Sequence, residues 1–333
     1  MKTLIIAEAG VNHNGDLSMA RELISAAFES GADVVKFQAA VPSEVVSKHS
    51  PKAPYQVLGA SPGESQLEMT RKIHISLESF WELKEVAAKT GIRMMVSGFG
   101  PLSNTFLRDL DLGWWKVPSG EVTNIPYLRQ VGNAGQTVFL STGLATLDEV
   151  RVAIEILEVS GARRSDITIL HCNSAYPTPP GDVNLKAMET MRQEFNLDVG
   201  YSDHTQGTSV AIAAVALGAT VIEKHLTLDN HLPGPDHRAS SNPQLFKEMV
   251  VGIRSVEQAL GDGVKKPSAS ELENIDVVRR SLVANCRIEK GELLTEENVY
   301  TKRPAWGISS SKWDEVIGKP APRSFEEDDF IEL

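Results

Sequence analysis

The sequence predicts an α/β protein, a (β/α)8 TIM barrel followed by a small β-rich domain. Eight short apolar runs alternate with stretches of helical period, and glycines punctuate the passage from helix to strand. The 333 residues exceed the roughly 250 that such a barrel needs, which leaves room for one small module. The runs read as strands are 4–7, 33–37, 92–96, 114–117, 137–140, 167–170, 197–201 and 220–222. Between them, 18–30, 76–90, 146–160, 185–195 and 206–217 place apolar residues every three or four positions, as helices with one buried face do. Strict alternation of strand and helix implies a parallel sheet, and eight units close most simply into a barrel. The junctions SGAD (30–33), TGIR (90–93) and LGAT (217–220) each set a glycine where a helix must stop before the next strand. The connection 39–75 is too long for an ordinary βα loop and reads as a lid or binding loop.

The pattern over 243–260 predicts the last barrel helix, so the barrel is expected over 1–262, with a linker at 263–278 introduced by GDGVKKPSASE. In the second domain, 279–333, β-like pieces at 281–284, 300–302 and 330–332 surround the turn signal IEKGELLTEEN (288–298). That module carries little chemistry of its own, which suits a binding or dimer-completing role.

Composition excludes several classes. A hydrophobic content of 41% with mixed charges fits a globular domain, and a net charge of −11 without a long basic run argues against nucleic-acid binding. Cys172 and Cys286 form no CxxC pair and no disulfide framework, and a reducing cytoplasmic setting suits them. The apolar N-terminal stretch is too short for a signal segment, and no run is long enough to span a membrane.

Barrel active sites form at the carboxyl ends of the strands, and here nearly every strand ends in polar residues. Strands 1 to 4 offer Glu8, then Lys36 and Gln38, then Ser97, then Lys116, Ser119 and Glu121. Ser141 follows strand 5. Strand 6 leads to His171, Asn173, Ser174 and Tyr176, strand 7 to Ser202, Asp203 and His204, and strand 8 to Glu223, Lys224 and His225. Two lysines among serine hydroxyls suit a small dianion carrying phosphate and carboxylate. The same lysines could instead be structural ion pairs with Glu8, Glu121 or Glu223, or one could form a Schiff base. His204 and His225 end consecutive strands, so their imidazoles can converge on one exchangeable divalent cation of the Mn2+ kind.

These residues fall in motifs that resemble the sialic acid synthase family. IIAEAGVNHNGD (5–16), VVKFQ (34–38), WKVPSGE (115–121), STG (141–143), HCNSAYPTP (171–179), GYSDHT (200–205), IEKHLTLD (222–229), GPDHRAS (234–240) and a tail from RRSLVA to KRP (279–304) follow one another in the family's order. The resemblance implies a TIM barrel joined to a C-terminal antifreeze-like (SAF) domain, in a domain-swapped homodimer. It implies a nonulosonic acid synthase that condenses phosphoenolpyruvate with an N-acetylated mannosamine-type sugar and releases phosphate, as an N-acetylneuraminate or N,N'-diacetyllegionaminate synthase. The segment 52–69 favours the legionaminate branch.

Carried over residue by residue, the resemblance implies that Lys36, Ser97, Lys116, Ser119, Ser141, Ser174 and Ser202 bind phosphoenolpyruvate. Gln38, Tyr176, Asp236 and Arg303 would meet the sugar, Glu8 and Glu121 would lie beside the reacting centre with the two lysines, and His204 and His225 would hold Mn2+, with Mg2+ or Co2+ as alternatives. A Schiff-base aldolase or a metal-dependent hydrolase on the same barrel is the competing reading.

Overall fold

The computed structural model describes residues 2–52 and 64–333. The chain divides into two compact units, Met1–Gly261 and Asp262–Leu333. In the first, β1 (Leu4–Gly10), β2 (Val34–Ala40), β3 (Arg93–Phe99), β4 (Trp114–Val117), β5 (Thr137–Ser141), β6 (Ile167–Cys172), β7 (Asp198–Asp203) and β8 (Val221–His225) form one parallel sheet. Its order is β3-β2-β1-β8-β7-β6-β5-β4, and β3 lies against β4, so the sheet closes into a barrel with one seam that lacks a hydrogen-bonded ladder. Each strand read from the sequence is present. Several run further at the carboxyl end than their apolar run, β1 to Gly10 and β8 to His225, because the backbone ladder continues where the side chains turn polar.

Side chains alternate across a strand, and the alternation sorts this barrel into two environments. Ile5, Ala7 and Ala9 of β1, Val35 and Phe37 of β2, and Ile222 of β8 face the helices in one large core. Ile6, Val34, Met95, Phe139, Leu170 and Val221 face inward and plug the amino-terminal end of the barrel.

The helices supply the outer ring. Asp16 caps α1 (Leu17–Glu29) through Ser18 N and Met19 N, and in α1 Ala20, Leu23, Ile24 and Ala27 are buried. A short α2 (Pro42–Val45) and α3 (Gln66–Ile73) stand in the long connection after β2, and α4 (Ser79–Thr90) ends on Gly91 at φ +90°. Further on lie α5 (Pro101–Leu110), α6 (Ile125–Asn133), α7 (Leu147–Val159), α8 (Ala187–Phe195), α9 (Ser209–Ala216) and α10 (Pro243–Ala259). The sequence reading leaves α5 and α6 out: both start with a proline in the first turn, a position where proline opens a helix instead of breaking it.

The second unit begins with α11 (Ala269–Val278), which occupies most of the expected linker 263–278 and starts at a Ser268–Glu271 capping box. None of its residues is buried, although Leu272, Ile275 and Val278 recur at every third position. Antiparallel β9 (Ser281–Ala284) and β10 (Val299–Lys302) then cover a small core built on Leu282, Ile288, Leu294, Val299, Phe325 and Ile331. The expected strand at 330–332 contributes a single bridge, Phe330 to Val283, and no ladder. No helix among the described residues is long and apolar enough to cross a membrane.

Gly200 of β7 lies where the plug is tightest. A Cβ there would meet the Val221 carbonyl oxygen at 2.5 Å and Leu170 Cδ2 at 2.7 Å. Gly200→Ala is therefore expected to lower stability by about 1–3 kcal/mol through overpacking, read as a shifted midpoint in urea denaturation.

Candidate active site

Two residues above each apolar plug position, the inward side chain is polar: Ile6 is followed by Glu8, Val34 by Lys36, Met95 by Ser97 and Phe139 by Ser141. Trp114 is likewise followed by Lys116, Leu170 by Cys172, Gly200 by Ser202, and Val221 by Glu223 and then His225. These side chains form the floor of a cavity of about 400 Å³. Ser119, Ser174, Tyr176 and His204 add to its wall from the loops after β4, β6 and β7, and Asp236 from the loop after β8.

Across the floor runs an alternating row of charges, all buried. Lys36 Nζ lies 2.8 Å from Glu8 Oε2 and 3.6 Å from Glu223 Oε2, while Lys116 Nζ lies 3.5 Å from Glu223 Oε1. Burial opposes the Lys36 ammonium, but Glu223 and Glu8 outweigh it and raise the pKa above the usual lysine value. For Lys116 burial wins, since Glu223 favours the charge while Lys36 repels it, and the pKa is lowered. Burial works against the Glu223 carboxylate as well, yet Lys116 and Lys36 together hold its pKa far below the ordinary range.

Hydroxyls complete the row. Lys116 Nζ donates to Ser141 Oγ at 2.7 Å, Lys36 Nζ to Ser97 Oγ at 3.3 Å, and Ser202 Oγ to Glu223 Oε1 at 2.9 Å. Gln38 Nε2 donates to Glu8 Oε1 at 2.8 Å. Ser119 Oγ accepts from Gly143 N at 3.0 Å and lies 3.1 Å from Cys172 Sγ. Asp236 is buried, and burial together with the nearby Glu8 raises its pKa to about 7.

His204 and His225 come together with ring centroids 5.5 Å apart, and the Tyr176 ring stands 4.2 Å from the first and 5.7 Å from the second. Burial lowers the pKa of His204 to about 4, and burial with repulsion from Lys36 lowers that of His225 to about 3, so both rings are neutral at physiological pH. His204 Nδ1–H donates to the Asn173 carbonyl at 2.6 Å, which leaves the lone pair on Nε2. Among the described residues, His225 Nδ1 is buried without a hydrogen-bond partner. Two neutral imidazoles, one fixed in tautomer by a backbone carbonyl and one with an orphaned nitrogen, fit a divalent cation.

Two expected site residues are not among those lining the cavity. Glu121 ends the 3-10 turn Ser119–Glu121, accepts a hydrogen bond from Asn124 and does not line the cavity, because the turn rotates it toward the start of α6. Arg303 is an exposed residue of the second unit. Three polar residues at strand ends face away from the cavity: His171 Nε2 meets the Val183 carbonyl at 2.7 Å, and Asp203 pairs with Lys224 at 2.7 Å. Glu223 and Cys172 are floor residues that the sequence reading did not assign to the site; counting in twos from the plug finds both.

A closed parallel barrel with buried lysines and hydroxyls on its floor, beside two neutral histidines, defines an α/β-barrel enzyme site. Residues 23–265 match the NeuB family and 279–332 match the SAF domain, and the chain belongs to the NeuB family. It is similar to the N,N'-diacetyllegionaminic acid synthase of Campylobacter jejuni, at 49% identity over 330 residues covering 99% of each chain. The enzyme of the same name from Legionella pneumophila is 46% identical, over 96% of this chain and 90% of that one. Among solved structures, the N-acetylneuraminic acid (sialic acid) synthetase of Leptospira borgpetersenii, in complex with citrate, superposes with a TM-score of 0.72 at 31% identity, over 83% of this chain and 90% of that one.

Gly143 is the point on which the serines converge. A Cβ there would meet Ser174 Oγ at 2.4 Å, Ser119 Oγ at 2.8 Å and Cys172 Sγ at 3.0 Å. Gly143→Ala must push these groups aside, and a displacement of this size is expected to cost turnover about tenfold or more in a protein whose melting curve stays cooperative.

Proposed function

We propose that this chain is a phosphoenolpyruvate-dependent nonulosonic acid synthase, and specifically an N,N'-diacetyllegionaminate synthase acting on 2,4-diacetamido-2,4,6-trideoxymannose. The observation that carries the reading is the buried Lys36–Glu223–Lys116 row with its serines, in a chain 49% identical along its length to a synthase of that name. Lys36 and Lys116 bind the phosphate and carboxylate of phosphoenolpyruvate, with Ser97, Ser119, Ser141, Ser174 and Ser202 as neutral donors. Gln38, Tyr176 and Asp236 orient the open-chain sugar so that its aldehyde carbon faces C3 of the enol phosphate. His204 and His225 would hold a divalent cation, Mn2+ by preference, which would supply Lewis acidity when bound.

Attack of C3 on the aldehyde forms the new carbon–carbon bond and leaves positive charge at C2. Water adds there, and the tetrahedral adduct loses phosphate by cleavage of its C–O bond to give the 2-keto acid. The acid–base role beside the reacting centre falls to Glu8, which lines the cavity, and not to Glu121.

The test is phosphate release from phosphoenolpyruvate by purified protein with either N-acetylmannosamine or the diacetamido sugar, with Mn2+ or chelator, and the product read by mass. Preference for the diacetamido sugar and loss of turnover in chelator are expected; preference for N-acetylmannosamine would move the assignment to the neuraminate branch. Lys116→Met should raise the phosphoenolpyruvate KM by about tenfold or more and leave the sugar KM nearly unchanged. Trapping of a lysine–pyruvate adduct by borohydride would overturn the reading in favour of an aldolase.

We further propose a cytoplasmic, domain-swapped homodimer in which Arg303 reaches the sugar in the partner's barrel. Its exposure in a unit matching the SAF domain supports this, as does the fit of a planar guanidinium to acetamido and hydroxyl oxygens. Arg303→Ala is expected to raise the sugar KM. Hybrids of Arg303→Ala with Lys116→Met subunits should be more active than either parent, since one mouth then holds both intact residues. Hybrids no better than the parents would place Arg303 in its own chain's site or in none.

A further inference from the structure

The pairing of β7 with β8 sets Ser202 opposite Glu223 and Asp203 opposite Lys224, and His204 and His225 follow as the next residues on the two chains. Successive positions alternate in face. The first pair is joined by a hydrogen bond in the cavity floor and the third brings the two imidazoles together, while Asp203, Lys224 and Thr205 do not line the cavity. The middle pair is one of the most completely buried ion pairs in the described chain, with side-chain exposures of 0% for Asp203 and 2% for Lys224.

Its hydrogen bonds explain what it holds. Lys224 Nζ donates to Asp203 Oδ2 at 2.7 Å and to the Thr205 carbonyl at 2.6 Å. Asp203 Oδ1 accepts from Thr205 N at 2.9 Å and from Thr205 Oγ1 at 2.8 Å. The residue before His204 and the residue after it are thus bound into one network, anchored on the residue before His225. Two charges removed from water in this way add little to stability compared with an apolar pair of similar volume, so fixing the geometry is the gain that distinguishes them.

We propose that Asp203 and Lys224 are positioning residues for the histidine pair: from behind the strands, their ion pair fixes the chain on both sides of His204 and the end of β8, so that both imidazoles face one cation. The inference rests on the cation reading above and deepens it. The two histidines are also held individually, His204 by the Asn173 carbonyl and by Thr178 N on its own carbonyl, and His225 by Ser241 N on its carbonyl. The ion pair ties those two supports to each other.

The experiment measures Mn2+ binding to the purified full-length chain without substrates, by loss of the free-ion electron paramagnetic resonance signal. The double variant Asp203→Asn/Lys224→Met removes both charges and the tie to the Thr205 carbonyl, and leaves no unpaired buried charge. It is expected to unfold as cooperatively as the parent, to bind Mn2+ about tenfold or more weakly, the usual effect of losing a residue that orients a metal ligand, and to regain turnover when Mn2+ is raised. A double variant that binds Mn2+ within about twofold of the parent overturns the proposal while the cation reading stands. A parent that binds no Mn2+ overturns the cation reading and this inference with it. If the double variant does not fold, Thr205→Val decides: it keeps the ion pair and loses only the hydroxyl, so weaker Mn2+ binding supports positioning and unchanged binding refutes it.

Discussion

Four ionisable side chains in a row, Glu8–Lys36–Glu223–Lys116, stand inside a barrel where none of them reaches water freely. Glu223 and Glu8 outweigh burial at Lys36, Glu223 offsets only part of it at Lys116, and the two lysines together stabilise the Glu223 carboxylate against its own burial. The row is formally neutral, two positive charges against two negative. An anion entering the cavity is drawn by the lysines and repelled by the glutamates, so the serine hydroxyls, which bring donors without bringing charge, are what make the floor receptive. Neutral imidazoles add no charge either. A cation held there would tip a balanced interior toward anions, which the chain's net charge of −11 would never suggest.

The row exists because of strand parity. The plug residues fix which face of each strand looks inward, and the next inward position on each strand then falls into the floor. A lysine at 36 or 116 therefore enters the cavity, whereas a lysine at 224 cannot, and Lys224 is neutralised by Asp203 on the far side of the sheet. Identical residue types one position apart serve different ends for this reason alone.

The same parity explains what could be read from the sequence. Eight apolar runs gave the barrel its strands, and the motifs at their ends carried thirteen of the fifteen expected site residues into the wall of a single cavity. Counting every polar residue at a strand end toward the site, without regard to parity, puts Asp203, Lys224 and His171 in one polar rim when they belong to the outer face. Glu121 shows the opposite error: its distance in sequence from Lys116 is right for a rim residue, but a 3-10 turn intervenes and turns it to Asn124. Helix α11 falls within the expected linker because the Gly-, Lys- and Pro-containing stretch GDGVKKPSASE, which reads as a linker, runs into its first turn. Of the segment 52–69, on which the choice of acceptor leaned, residues 53–63 lie outside the described chain.

Floor and upper wall do different work on a sugar substrate. The floor is built from strand ends, while Gln66, Met69, Thr70 and His74 bring the long connection after β2 to the wall. N-acetylmannosamine and the diacetamido sugar differ at C4 and C6, far from the carbon that reacts, so groups remote from the floor must tell them apart. Met69 is buried and apolar, and an apolar wall rejects an added hydroxyl only weakly, by roughly a hundredfold. A wall that donates a hydrogen bond to a particular substituent discriminates far more strongly, because the wrong sugar leaves a buried donor unpaired. A polar partner in the wall for the C4 acetamido group would therefore weigh more in acceptor choice than any apolar contact with the C6 methyl.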